Sequence, residues 1–198
     1  NVVAIQQDNI KRMLAYSSVA HAGYMLLAMP VMSGDSIYAI MVYLVMYLFM
    51  NLGAFFVVIT IKNKTNGETF NDYKGLGWEM PIVGITMTLF MVSLTGLPPT
   101  AGFIGKFYIF ASLIQGGGSF YWLVVIGGVN SVVSLYYYLR VVKVMYFDGD
   151  RKDSLVTPPK VLTGMLLVTA VPTMVLGIYW VPLAEWIQKS LVFFIQTI

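Results

Sequence analysis

A chain of 198 residues that is 58% hydrophobic and only 11% charged, with a mean hydropathy of +0.77, is built for lipid, because soluble domains carry about 25% charged residues. The absence of cysteine excludes a disulfide framework and any Cys-ligated metal or iron–sulfur site, and a single histidine argues against a His-based metal cluster. The net charge of +3 is small, and its distribution is more informative than its size.

Taken in chain order, Asn1 opens directly onto apolar Val2-Val-Ala-Ile, which runs into Gln6-Gln-Asp-Asn. No cleavable signal peptide precedes the first span. The opening reads like the tail of a helix begun upstream, so residues 1–198 are expected to form the C-terminal helical bundle of a longer protein. A spanning helix needs about 20 mostly apolar residues. Five segments qualify: Ile10–Met32, Ser36–Ile61, Met80–Gln115, Ser119–Tyr146 and Val161–Trp180. The third is too long for one straight crossing and contains Pro98-Pro99, where two half-helices should meet. The last continues past Pro182 into an interfacial or tilted tail. The fold class is therefore all-α: a polytopic transmembrane bundle of about five spans, one of them discontinuous. Gly116–Gly118 is a turn. The polar loop from Asn63 to Gly77 either docks a partner or is merely solvated.

The basic residues orient these spans. Lys11, Arg12, Lys62, Lys64, Lys74, Arg140, Lys143, Arg151, Lys152 and Lys160 all fall on one side. The short opposite loops, Val31–Asp35 and Gly116–Gly118, contain no Lys or Arg. That asymmetry makes the loaded side cytoplasmic or its equivalent and sends the C-terminus to the other side. Trp78, Trp122, Trp180 and Trp186 lie near span ends, as interfacial anchors do. Of the two remaining cations, Lys189 follows Glu185 by four residues, the order of a helical ion pair.

Lys106 has no acidic residue near it in sequence. An ammonium at bilayer depth costs about 2.5–3.5 kcal/mol even on insertion scales, so it needs a partner, a wet cavity or a function. Pro98 and Pro99 remove two backbone donors, while Gly96, Gly102 and Gly105 loosen the chain. Irregular backbone at this depth is tolerated only against protein or water, and discontinuous helices mark ion sites in transporters. The hinge residues are Gly96, Pro98, Pro99 and Gly102. Snorkelling is the plainer reading of Lys106, but Gln115 is nine residues on, about 14 Å along a helix.

Other polar residues share this membrane interior. Tyr43, Tyr47 and Asn51 recur every four residues and so line one helix face, suited to a file of water or to ordinary packing. His21 follows Ser17 by four residues and Ser18 by three, so those hydroxyls should reach it. Its unperturbed pKa near 6.5 suits proton transfer, although a lone histidine among apolar residues can also be structural. Lys11 and Arg12 begin the same helix as topology signals or as a route for proton uptake. Asn130, Ser131 and Ser134 form a polar seam in the fourth span. No phosphate-binding loop, nucleophile–base pair or metal spacing occurs.

Three stretches carry a family resemblance. Asp8-Asn-Ile-Lys-Arg-Met-Leu-Ala-Tyr-Ser-Ser-Val-Ala-His-Ala-Gly-Tyr, Tyr43-Leu-Val-Met-Tyr-Leu-Phe-Met-Asn-Leu-Gly-Ala-Phe and Leu97-Pro-Pro-Thr-Ala-Gly-Phe-Ile-Gly-Lys-Phe resemble the antiporter-like membrane subunits of respiratory complex I. The L and M branches carry histidines and a lysine in the second helix. This chain has Tyr43, Tyr47 and Asn51 there, which is similar to the N branch (subunit 2 in mitochondria). The resemblance implies a proton-translocating subunit of NADH:quinone oxidoreductase in a bacterial inner membrane, or otherwise an organellar one. It implies other complex I membrane subunits and the lipid bilayer as partners, no nucleic acid, and no substrate but protons. NADH, FMN, iron–sulfur clusters and quinone would belong to companion subunits, with no cofactor or metal in this chain. Lys106 becomes the proton-loading residue, His21 and Lys11 the relay, and Tyr43, Tyr47 and Asn51 the water-holding path. The alternatives are a Mrp-type or hydrogenase-linked cation/proton antiporter subunit, and a structural or assembly membrane subunit.

Overall fold

A computed structural model describes residues 1–149 and 155–196; Arg151 and Lys152 of the charge map lie outside them. The described chain is helical: α1 (Val2–Ile5), α2 (Ile10–Ala28), α3 (Gly34–Thr65), α4 (Leu76–Glu79), α5 (Pro81–Thr95), α6 (Ala101–Gln115), α7 (Tyr121–Tyr146), α8 (Lys160–Ile178) and α9 (Val181–Gln196). Short 3₁₀ turns occupy Met29–Val31, Phe70–Tyr73 and Gly118–Phe120.

Helix α3 is the mast of the bundle. Ser33 caps its start in a reciprocal exchange with Ser36, Asp35 sits in its first turn, Lys62 and Lys64 sit in its last, and left-handed Asn66 ends it. Those charges complement the helix dipole at each end. Its 32 residues run about 48 Å, and α2, α5, α6, α8 and α9 all pack on it. Ile10, Met13, Leu14, Met50, Ala54, Val57, Val83, Met87, Phe90 and Leu94 bury into the main core between α2, α3 and α5.

Helices α3, α7 and α8 are each long and apolar enough to cross a membrane alone. The other two predicted spans take a different form. Helix α2 has 19 residues, about 28 Å, but its polar face leaves it short of that apolar test. The predicted third span divides into α5 and α6, 15 residues each and about 22 Å long, less than the roughly 30 Å hydrocarbon core. A bend of 118° separates the segment Phe70–Glu79 from α5, so the loop after α3 folds sharply under the bundle.

The start of α2, the end of α3, the loop 66–79 and the end of α7 meet at one pole, as the charge map requires. Glu68 Oε1 takes Lys62 at 2.8 Å and Lys11 at 3.7 Å. Lys64 pairs with Glu79, and Arg140 with Asp8 at 3.2 Å. Trp78 donates through Nε1 to the Tyr146 carbonyl at 2.9 Å. Glu185 and Lys189 form no ion pair among the described residues. Both side chains are exposed, where holding two long chains together gains little.

Candidate functional site

The break between α5 and α6 positions everything else. Gly96 adopts φ +88°, a left-handed helix end that glycine takes without steric cost. A helix leaves its last four carbonyls unpaired, and all four of α5 can be followed. Val92 O accepts from Gly96 N at 3.1 Å and Leu97 N at 3.2 Å, and Ser93 O from Gly96 N at 2.9 Å. The remaining two, Leu94 O and Thr95 O, accept from Lys106 Nζ at 3.2 and 2.7 Å. Lys106 is in the second turn of α6, so its side chain folds back across the break to cap the preceding half-helix.

The exchange is reciprocal. Thr100, the residue before α6, makes no side-chain cap. Ser93 Oγ of α5 instead accepts from Gly102 N at 3.1 Å, satisfying a donor at the start of α6. The half-helices overlap closely enough for this because Gly102 has no side chain: a Cβ there would strike the Ser93 carbonyl. Helix α8 closes the outside of the break, with Gly177 against the Pro99–Thr100 backbone. The hinge residues named from sequence, Gly96, Pro98, Pro99 and Gly102, all belong to this junction.

Lys106 is 4% exposed. Its third hydrogen bond goes to Ser131 Oγ on α7 at 3.2 Å, and its ammonium lies 4.6 Å from the centroid of the Tyr24 ring. Tyr24 OH in turn meets Ser131 Oγ at 2.8 Å. Every partner is electrically neutral. Hydrogen bonds to a charged group contribute about 1.5–3 kcal/mol each, and a desolvated cation–π contact about 2 kcal/mol. Together these match or exceed the insertion cost without a carboxylate. The negative end of the α5 dipole adds to the same effect.

His21 is 2% exposed and bonded at both ring nitrogens: Nδ1 to Tyr43 OH at 2.6 Å and Nε2 to Tyr138 OH at 3.0 Å. The expected contacts from Ser17 and Ser18 do not form, because both hydroxyls donate back to the Leu14 carbonyl, at 2.8 and 3.1 Å. Back-bonding of this kind is the usual local alternative for serine in a helix. Tyr47 stacks on His21 with centroids 4.9 Å apart. Its hydroxyl and Asn51 Oδ1 are buried polar atoms without a well-formed hydrogen bond among the described residues, which is unusual because such atoms are nearly always bonded.

The structure therefore gathers Lys106, His21, Tyr43 and Tyr47, with Asn51 one turn further along α3. It does not bring Lys11 to them. That side chain is half exposed and pairs with Glu68, ten residues and about 15 Å along α2 from His21. Sequence reasoning missed Tyr24 and Tyr138. Tyr24 had a signal, lying three residues after His21 on the same face; Tyr138 sits within Tyr136-Tyr137-Tyr138, which carries no pointer to its facing helix.

A polytopic helical membrane protein organised around a discontinuous helix and a buried, carboxylate-free lysine is the class that this geometry defines. Residues 1–134 match the family model described as NADH:quinone oxidoreductase/Mrp antiporter, TM, and the chain belongs to that family. It is 50% identical over 193 residues to NADH-quinone oxidoreductase subunit N 2 of Sorangium cellulosum, covering 96% of this chain and 38% of that protein. A chain of respiratory complex I from Thermus thermophilus with bound aureothin superposes with a TM-score of 0.76 at 30% identity, covering 93% of this chain and 41% of that one. A chain of an archaeal membrane-bound sulfane sulfur reductase gives a TM-score of 0.85 at 25% identity, covering 96% and 38%. The chain thus spans about two fifths of the length of these relatives.

Proposed function

We propose that this chain is the C-terminal bundle of an N-type, proton-translocating subunit of NADH:quinone oxidoreductase in a bacterial inner membrane. The observation that carries the reading is Lys106: a buried ammonium held across a helix break by carbonyls and a hydroxyl, with no acid beside it among the described residues. Such a group binds and releases a proton without a competing counter-ion. Lys106 is the loading residue. His21, with Tyr43, passes protons toward it, and Lys11 marks the uptake side at the cytoplasmic pole. Tyr47 OH and Asn51 Oδ1 are the polar atoms that water bridging this route would bind. Electron transfer from NADH to quinone, with its flavin and iron–sulfur clusters, belongs to companion subunits, and the other membrane subunits of that complex are the partners.

The test is Lys106→Ala in the assembled complex, reading protons pumped per NADH oxidised in sealed vesicles. A depressed proton yield with the complex intact is expected. Unchanged stoichiometry and rate refute the proposal. Loss of assembly rather than pumping would favour a structural role, and sodium-dependent transport would favour cation/proton exchange.

A further inference from the structure

We infer that Tyr138 takes part directly in proton transfer: with Tyr43 it brackets the His21 imidazole so that a proton delivered at one ring nitrogen leaves from the other. The inference rests on the proposed role of His21 in proton passage.

Neutral imidazole has one N–H and one lone pair. With Nδ1 on Tyr43 OH at 2.6 Å and Nε2 on Tyr138 OH at 3.0 Å, one phenol must donate while the other accepts. A carboxylate partner would fix the tautomer, as it does in catalytic triads. Here the two partners are the same chemical group. They come from different helices, α3 and α7, and both tyrosines are 0% exposed. Among the described residues no carboxylate contacts the ring, so neither nitrogen is held in one tautomer by an anion.

The transfer balances. Tyr138 gives its hydroxyl proton to Nε2 and regains one from a water molecule at its oxygen. Nδ1 gives its proton to the Tyr43 oxygen, whose own hydroxyl proton passes to a second water. One proton crosses, no charge stays on the ring, and the imidazole ends in the other tautomer. Beside Tyr138 lies a separate polar cluster: Tyr137 packs on its ring at 4.4 Å between centroids and donates to Asn1 Oδ1 at 2.7 Å, while Asn1 Nδ2 donates to Asn130 Oδ1 at 2.7 Å. A phenylalanine at 138 would fill the same buried space and end the relay at Nε2.

The experiment compares Tyr138→Phe, Tyr43→Phe and Lys106→Ala in the assembled, full-length complex, reading protons per NADH oxidised and the solvent deuterium effect on pumping. Tyr138→Phe is expected to show the same fractional loss of proton yield as Tyr43→Phe while NADH oxidation and assembly persist. Should Tyr138→Phe fail to assemble, difluorotyrosine at position 138 keeps the shape while changing hydroxyl acidity. A changed pumping rate then supports the relay, and an unchanged one refutes it. Wild-type proton yield in Tyr138→Phe, alongside a depressed Lys106→Ala, overturns this inference alone. Wild-type yield in Lys106→Ala removes the reading of the site on which it rests.

Discussion

Replacing Gly102 by alanine tests whether the reciprocal cap holds the site together. The new Cβ would overlap the Ser93 carbonyl oxygen and carbon. Both are backbone atoms, and that carbonyl is already fixed by Gly96 N at 2.9 Å. Close C···O contacts settle at about 3.3–3.6 Å, so the two half-helices must part by roughly an ångström or more. Lys106 Nζ already stands 3.2 Å from Leu94 O, near the outer limit of a hydrogen bond, and that contact is lost first. Overpacking costs about 1–3 kcal/mol and one charge-assisted bond about 1.5–3 kcal/mol. The expected destabilisation is therefore about 2.5–6 kcal/mol, concentrated at the break. Gly128→Ala is the control, because a Cβ there meets nothing within 4 Å and the gain in helix propensity is the same. The assay is proton yield per NADH together with thermal inactivation of the complex. Indistinguishable behaviour of the two variants would refute the reasoning.

Two further outcomes follow from the same geometry. Ser93→Ala strands the buried Gly102 N–H, so a loss of about 1–3 kcal/mol is expected; thermal inactivation that matches wild type would mean another group caps α6. At the pole where α2 starts and α3 ends, hydrogen bonds from Lys62 and Asn9 hold the Glu68 carboxyl below its ordinary value. A lowered carboxyl stabilises the fold above its unfolded value, about 4.3, and that contribution disappears as pH falls through the lower folded value. Exchange of the amides of Ile10 and Phe70, which tie this loop to α2, should accelerate on acidification below about pH 4, and Glu68→Gln should abolish that dependence. An unaltered pH profile in the variant would assign the tie to other contacts.

Much of this site was legible in one dimension because its rules are local. Two prolines flanked by glycines announce a break, and a lysine seven residues after the second proline must fall within reach of it. A four-residue repeat puts Tyr43, Tyr47 and Asn51 on one face wherever the helix goes. What stayed hidden depends on register between helices. Nothing in the sequence states that Ser93 faces Gly102, or that Tyr138 on α7 arrives at the second nitrogen of His21. The serines assigned to His21 had the right spacing, but a carbonyl within their own helix was closer. Lys11 shares a helix with His21, yet about 15 Å of rise and a pairing with Glu68 at the pole of the bundle keep it half exposed. Lys189 had a well-spaced acid and gained no bond from it.

The neutrality of the partners around Lys106 has an electrical consequence. A lysine paired with a carboxylate exchanges a dipole for an anion when it deprotonates, and much of its field is cancelled at close range beforehand. Lys106 exchanges a whole positive charge for nothing. In a medium of effective dielectric near 20, that change is felt as about 1 kcal/mol by a unit charge roughly 15 Å away, about a fivefold shift in the proton-binding equilibrium of a distant site. Mobile ions cannot reach a 4% exposed residue to screen it. On the proposed loading role of Lys106, each protonation of that residue is felt across the bundle as a step in electrical potential.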